Sequence, residues 1–155
     1  MPNSLLARLK NKPTPVKFEG IVVKPASKQD KLFLTTKITN LTKTSQFDKA
    51  QFISNYATSC IDISDGLVKD LHSICKLSKV GAIIDINKIP ITTDIEDLVY
   101  GDDYQLCFTC SNENIKHIKD HNFYNIGIIQ SNPKIEYMRN NKPVSFDKEG
   151  WDSFR

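Results

Sequence analysis

The chain has 155 residues, of which 39% are hydrophobic and 25% charged. That balance suits a globular protein with a core of its own and argues against disorder throughout. A net charge of +3 on scattered lysines gives no basic stripe for nucleic acid. No apolar run approaches the ~20 residues of a membrane span, and the first twelve residues lack the apolar core of a signal peptide, so the cytoplasm is the expected compartment.

In chain order, residues 1–15 carry Pro13 and Pro15 and weak periodicity, which predicts an arm leading into one domain over 16–155. β-branched residues predict strands over 16–24 and 31–38, separated by a turn over 25–30. A polar loop is expected over 40–45, then a short helix over 46–56 with Phe47, Ala50 and Ile53 on one side. Residues 59–63 read as a strand. From Asp65 to Ser78 the apolar residues Leu67, Val68, Leu71, Ile74, Cys75 and Leu77 recur at helical spacing, with Ser64 as the expected N-cap. A strand over 81–86 stops before Pro90, and Thr93 is placed to cap an acidic helix over 94–99. Gly101-Asp-Asp-Tyr104 is a turn into a strand ending at Cys110. A second amphipathic helix is expected over 112–121, with Ile115 and Ile118 inward, and a strand over 124–130. Arg139-Asn-Asn141 signals a hairpin between 134–138 and 142–146. Helices and strands alternate irregularly, which predicts an α+β fold: a mixed or mostly antiparallel sheet with helices on one face.

The four cysteines include Cys107-Phe-Thr-Cys110. Residues three apart on a strand point to opposite faces, so these read as reduced structural thiols and not as a redox or zinc pair. His72, His117 and His121 have no third ligand in view and carry no metal assignment.

Two acidic clusters remain. In Asp62-Ile-Ser-Asp65 a carboxylate at a strand end, a hydroxyl and a carboxylate at a helix start can converge on one point. Such oxygens suit Mg²⁺, and the helix amides suit a phosphate; a plain helix cap with solvated acids is the competing reading. Gly101-Asp-Asp-Tyr104 is either a cation site or an ordinary turn. Trp151 and Phe154 are either a terminal anchor or a stacking surface for a flat cationic ring.

Taken together, 57–67 (Ala-Thr-Ser-Cys-Ile-Asp-Ile-Ser-Asp-Gly-Leu), 80–90, 100–109, Ile126-Gly-Ile128 and Gly150-Trp-Asp-Ser-Phe154 resemble, in order and spacing, the C-terminal domain of thiamine-monophosphate kinase. That family belongs with the aminoimidazole-ribonucleotide synthetases and selenophosphate synthetases, and the resemblance implies their C-terminal fold. It also implies ATP as co-substrate, Mg²⁺, and thiamine monophosphate as phosphoryl acceptor. Asp62 and Asp65 then stand as metal ligands, Ser64 as a nucleotide contact, and Asp102, Trp151 and Phe154 on the substrate side. No residue is expected to act as a covalent nucleophile. The family's N-terminal domain is absent, which implies a missing partner half, with a homodimer as an assembly the family allows. The chain departs from the family pattern at Asp102 and Gln105, each in place of Glu, and at Thr35-Thr-Lys-Ile38, which lacks the expected glycines. A non-catalytic ligand-binding or regulatory module is the alternative reading.

Overall fold

The computed structural model describes residues 26–35, 46–90, 94–100, 105–119 and 121–147, without the side chains of 46–48. The strand expected over 16–24, the loop over 40–45, the cap at Thr93, the turn over 101–104 and the aromatics Trp151 and Phe154 lie outside those residues.

Side chains alternate across a strand, and here the alternation divides the apolar residues between two cores. Seven strands run β1 (Lys31–Leu34), β2 (Ala57–Asp62), β3 (Gly81–Asp85), β4 (Leu106–Cys110), β5 (Tyr124–Gln130), β6 (Ile135–Arg139) and β7 (Lys142–Val144). They form one sheet in the order β2-β4-β1-β5-β3-β6-β7. Every neighbouring pair is antiparallel except β3 with β6. The sheet is therefore mixed and mostly antiparallel, as expected.

The helices, however, cover both faces and not one. Helix α2 (Leu67–Ser78) lays Leu67, Val68, Leu71, Ile74 and Cys75 on the face that carries Leu32, Leu34, Ile61, Ile84 and Cys107. Helices α1 (Gln46–Ile53) and α3 (Ile115–Ile118) put Ala50, Ile53 and Ile118 on the other, against Phe33, Cys60, Phe108 and Cys110. The central strands β1 and β4 and the edge strand β2 are apolar on both sides, with all five residues of β4 buried. A strand of that kind needs cover on both faces.

Several element types differ from the sequence expectation at their ends. The segment after Asp94 is a 3-10 helix (Ile95–Val99), with Asp94 itself as the cap through a hydrogen bond from the Ile95 N–H. The expected helix over 112–121 is a 3-10 turn (Asn112–Asn114) running into the single α turn of α3. Helix α2 ends on Lys79, whose φ of 56° is left-handed and lets its N–H donate to the carbonyls of Cys75 and Lys76. The hairpin turn is Asn140-Asn141, with φ of 51° and 60°. Asn tolerates that region, and two such residues in a row match the twist of the strands they join.

The topology fixes one edge of the sheet. β1 and β2 both run antiparallel to the β4 between them. The C-terminal ends of β1 and β2 and the start of β4 therefore meet at the same edge, where Leu34 pairs with Cys107 and Asp62 with Leu106.

Candidate functional site

At that edge β2 hands over to α2 through Asp62-Ile-Ser-Asp-Gly66. Burial alternates along it: Ile61 and Ile63 are buried, Asp62 and Ser64 exposed, and Asp65 half-buried. The strand's period of two thus directs both Asp62 and Ser64 outward while their apolar neighbours anchor the backbone. Asp65 forms an ion pair with Lys69 one helical turn on, at 2.9 Å.

Ser64 does not cap the helix. The N-cap position belongs to Gly66, with no side-chain bond, because a more distant residue takes the amides ahead of it. Asp70, on the first turn of α2, accepts the backbone N–H of Ser64 and that of Asp65 on one carboxylate oxygen, each at 3.0 Å. Only 6% of Asp70 is exposed. Its pKa is pushed up to about 6, first by burial and further by the charges of Asp65 and Asp62, against the pull of the two amide hydrogen bonds. The electrostatic reach of both Asp62 and Asp65 onto Asp70 places three carboxylates around one turn. The amides of Ser64 and Asp65 are thus engaged by Asp70, and the helix itself begins later, at Leu67. A turn of this charge attracts a cation.

Gly66 joins this turn to the acidic segment that follows. Its φ is 110°, and a Cβ there would lie 2.7 Å from the Val99 carbonyl oxygen and 3.2 Å from that of Tyr100. The backbone entering 101–104 therefore lies against the Ser64–Gly66 turn. The backbone leaving that segment is bound there as well, since the N–H of Ile63 donates to the carbonyl of Gln105 at 2.8 Å. Both flanks of the second acidic cluster meet the first, while Asp102 itself lies outside the described residues.

The end of β1 completes the edge. Thr35 and Gln105 are both buried. Thr35 Oγ1 accepts the Leu106 N–H at 2.8 Å, the Thr35 N–H donates to the Leu106 carbonyl at 3.0 Å, and Gln105 Nε2 donates to the Thr35 carbonyl at 3.0 Å. Thr35 is thus backbone-bonded at the start of the 35–38 segment in which the family's glycines were expected, and residues 36–38 lie outside the described ones.

Among the described residues no group of three or more His, Cys, Asp or Glu is placed to hold a metal ion. Asp62 and Asp65 nevertheless fit Mg²⁺, which takes one or two carboxylates and completes its shell with phosphate oxygens and water. The histidines are structural or peripheral. His117 stacks on Tyr56 with ring centroids 4.9 Å apart, His121 sits 3.9 Å from Phe52, and His72 is exposed. All four cysteines are free and buried, with Cys107 and Cys110 in opposite cores as strand alternation requires. Burial raises all four thiols, Cys110 to about 11 and Cys75 to about 12. A groove of about 1030 Å³ runs between α2 and the β6–β7 hairpin, lined by His72, Lys76, Lys79, Tyr137 and Phe146 among others. None of Asp62, Ser64 and Asp65 lines it, so it is separate from the acidic turn.

Sequence reasoning missed Asp70. The signal was present: Asp70 lies three residues after Leu67 and four before Ile74, inside the apolar stripe of α2. A carboxylate on a buried stripe needs donors, and the nearest open ones are the amides ahead of the helix.

No family model matches the chain. Thiamine-monophosphate kinases do. That of Buchnera aphidicola subsp. Schizaphis graminum is 39% identical over 120 residues, 66% of this chain and 37% of the relative. That of Pyrococcus horikoshii is 33% identical over 112 residues, again 66% of this chain and 36% of the relative. The chain thus spans little more than a third of the curated relatives it matches. Among solved structures, AaThiL complexed with AMPPCP and TMP superposes with a TM-score of 0.64 at 22% identity, over 84% of this chain and 53% of that one. The HypE-HypF complex gives 0.63 at 13% identity, over 81% and 54%. These establish a shared fold for ThiL and HypE types. Over about two thirds of its length this chain is thus related in sequence to thiamine-monophosphate kinases, of which it matches one segment.

Proposed function

We propose that this chain provides the C-terminal part of an ATP- and Mg²⁺-dependent thiamine-monophosphate kinase, forming thiamine diphosphate together with an N-terminal kinase domain. Residues 16–155 act as one unit in this reading, and the cytoplasm is the compartment it implies. Asp62 and Asp65 hold Mg²⁺, Ser64 contacts the nucleotide, and Asp102, Trp151 and Phe154 face thiamine monophosphate. The carrying observation is the exposed Asp62 and Ser64 and the half-buried Asp65 on a turn braced from behind, in a segment related to kinases of that name.

Phosphoryl transfer depends mainly on positioning and charge neutralisation. Bound Mg²⁺ supplies the neutralisation of phosphate charge. The chain's own groups hold the geometry: Asp62 and Asp65 from a strand end and a helix start, with the 101–104 segment tied to the same turn at Tyr100 and Gln105. No protein nucleophile is required, because the γ-phosphoryl passes directly to the acceptor phosphate.

The test is complementation. The chain is mixed with the N-terminal half of a relative, ATP, Mg²⁺ and thiamine monophosphate, and thiamine diphosphate is measured. Activity that Asp62→Asn and Asp65→Asn abolish supports the reading; a verified complex that forms no product sinks it.

The alternative, a non-catalytic binding module, is favoured by the missing glycines over 35–38 and by Asp102 in place of Glu. Calorimetry separates the two. A module binds thiamine monophosphate without Mg²⁺-ATP or a partner, and a kinase half does not.

A further inference from the structure

We propose that Asp70 is the positioning residue of the acidic turn: its buried carboxylate holds the backbone of Ser64 and Asp65 so that their side chains and that of Asp62 face one cation. This rests on the reading of that turn as a Mg²⁺ site.

The geometry is specific. Asp70 does two things at once: its own N–H donates to the Gly66 carbonyl at 3.0 Å in the first turn of α2, and its carboxylate reaches past Gly66 to collect two further amides at 3.0 Å each. One side chain thus closes the turn from its far end to the helix. Gly66, between the clamp and the amides, has a φ of 110° and lies against Val99, and with no side chain of its own it offers nothing to hold Ser64 and Asp65 in place. Ser64 is exposed and Asp65 half-buried; packing alone does not fix side chains in that position. The amide clamp supplies the restraint from the protein side and leaves the outward face clear.

The clamp also explains why Asp70 is an unsuitable ligand itself. It is 6% exposed, and one of its oxygens already accepts two N–H groups. Asp70 acts through Ser64 and Asp65 and does not touch the ion.

The experiment uses the full chain with Mn²⁺ as probe, read by paramagnetic broadening of the amide resonances of 62–66, alongside hydrogen exchange at Ser64 and Asp65. In the wild type these two amides are protected and Mn²⁺ broadens the turn. Asp62→Asn, the control, removes the broadening. Asp70→Ala is expected to deprotect both amides and weaken Mn²⁺ at least tenfold. Asp70→Asn, whose carbonyl oxygen still accepts both N–H groups, is expected to recover most of that loss. Should Asp70→Ala fail to fold, Asp70→Glu serves in its place. It keeps the charge and lengthens the arm by a methylene, so it is expected to weaken Mn²⁺ by a similar factor. Unchanged Mn²⁺ affinity in Asp70→Ala or Asp70→Glu, with Asp62→Asn still impaired, overturns the positioning role alone. No broadening of the turn in the wild type overturns the cation site, and the positioning role with it.

Discussion

Gly66→Ala is the most direct probe of the contact between the two acidic segments. At φ 110° and ψ 146° the residue sits in a region that is nearly exclusive to glycine, and forcing an L side chain there costs about 1–3 kcal/mol. The added methyl would also lie 2.7 Å from the Val99 carbonyl oxygen and 2.8 Å from its carbon, well inside ordinary contact. The obstruction is backbone, so no side chain can swing away, and overpacking of this kind adds about 1–3 kcal/mol. Together they come to roughly 2–6 kcal/mol, a large share of the ~5–15 kcal/mol that keeps a domain folded. With a urea dependence of about 2 kcal/mol per molar, the unfolding midpoint should fall by roughly 1–3 M. Gly66→Asn should not rescue it, because the left-handed region that Asn tolerates is not the one occupied here. A midpoint for Gly66→Ala within ~0.3 M of wild type would show that the 95–100 segment yields freely, and the argument that it is seated on the turn would fail.

Four further outcomes follow from the same structure. Phe108→Ala empties the centre of the second core, where Phe108 is fully buried, stacked on Phe33 at 5.4 Å and edge-on to Phe123 at 5.4 Å; it should cost about 3–5 kcal/mol in denaturant unfolding. The four thiols should resist alkylation at pH 8 in the native state and react fully after unfolding, whereas rapid native labelling of any of them would contradict their burial. Asp70 has a folded pKa of about 6 against an ordinary 3.8, so its contribution to stability is fully present below the unfolded value and is lost as pH rises through about 6. Asp70→Asn should therefore gain on wild type between pH 4 and pH 7, by about 1–3 kcal/mol, and parallel pH profiles for the two proteins would refute this. Gln105→Glu should destabilise at neutral pH by about 2–4 kcal/mol, with recovery towards pH 4, as read by urea unfolding across that range.

Much of this arrangement was legible in the order of residues because local rules agreed with tertiary ones. Tyr124–Gln130 is a strand at the expected bounds, and Asn140-Asn141 turns where paired asparagines should. Cys107 and Cys110 fell on opposite faces from strand alternation alone. The misses share a cause: a distant partner overrode a local preference. Ser64 is a good cap by type, but Asp70, six residues on, took its amide. The 112–121 segment has helical spacing, yet its first turn tightens to 3-10, and only Ile118 is fully buried in the second core. Helices on both faces follow from a β4 buried on both sides, which a run such as Leu106-Cys-Phe-Thr-Cys110 hints at but does not assign.

The departure at Gln105 is best understood together with Thr35, which opens the 35–38 segment that lacks the family's glycines. Gln105 is 4% exposed and its Nε2 donates to the Thr35 carbonyl. A glutamate in that seat, the residue the family pattern carries, would set a carboxylate against a carbonyl oxygen with no water to relieve it, and could donate only when protonated. Thr35 in turn uses its hydroxyl to accept the Leu106 N–H. Thr35 and Gln105 therefore support each other, and both bonds close on the same short stretch at the head of β4. That stretch is also where the Ile63 N–H ends its run along β2. These bonds thus tie β1 and β4 to the strand that delivers Asp62 to its turn, behind a turn on which Asp62 and Ser64 are exposed.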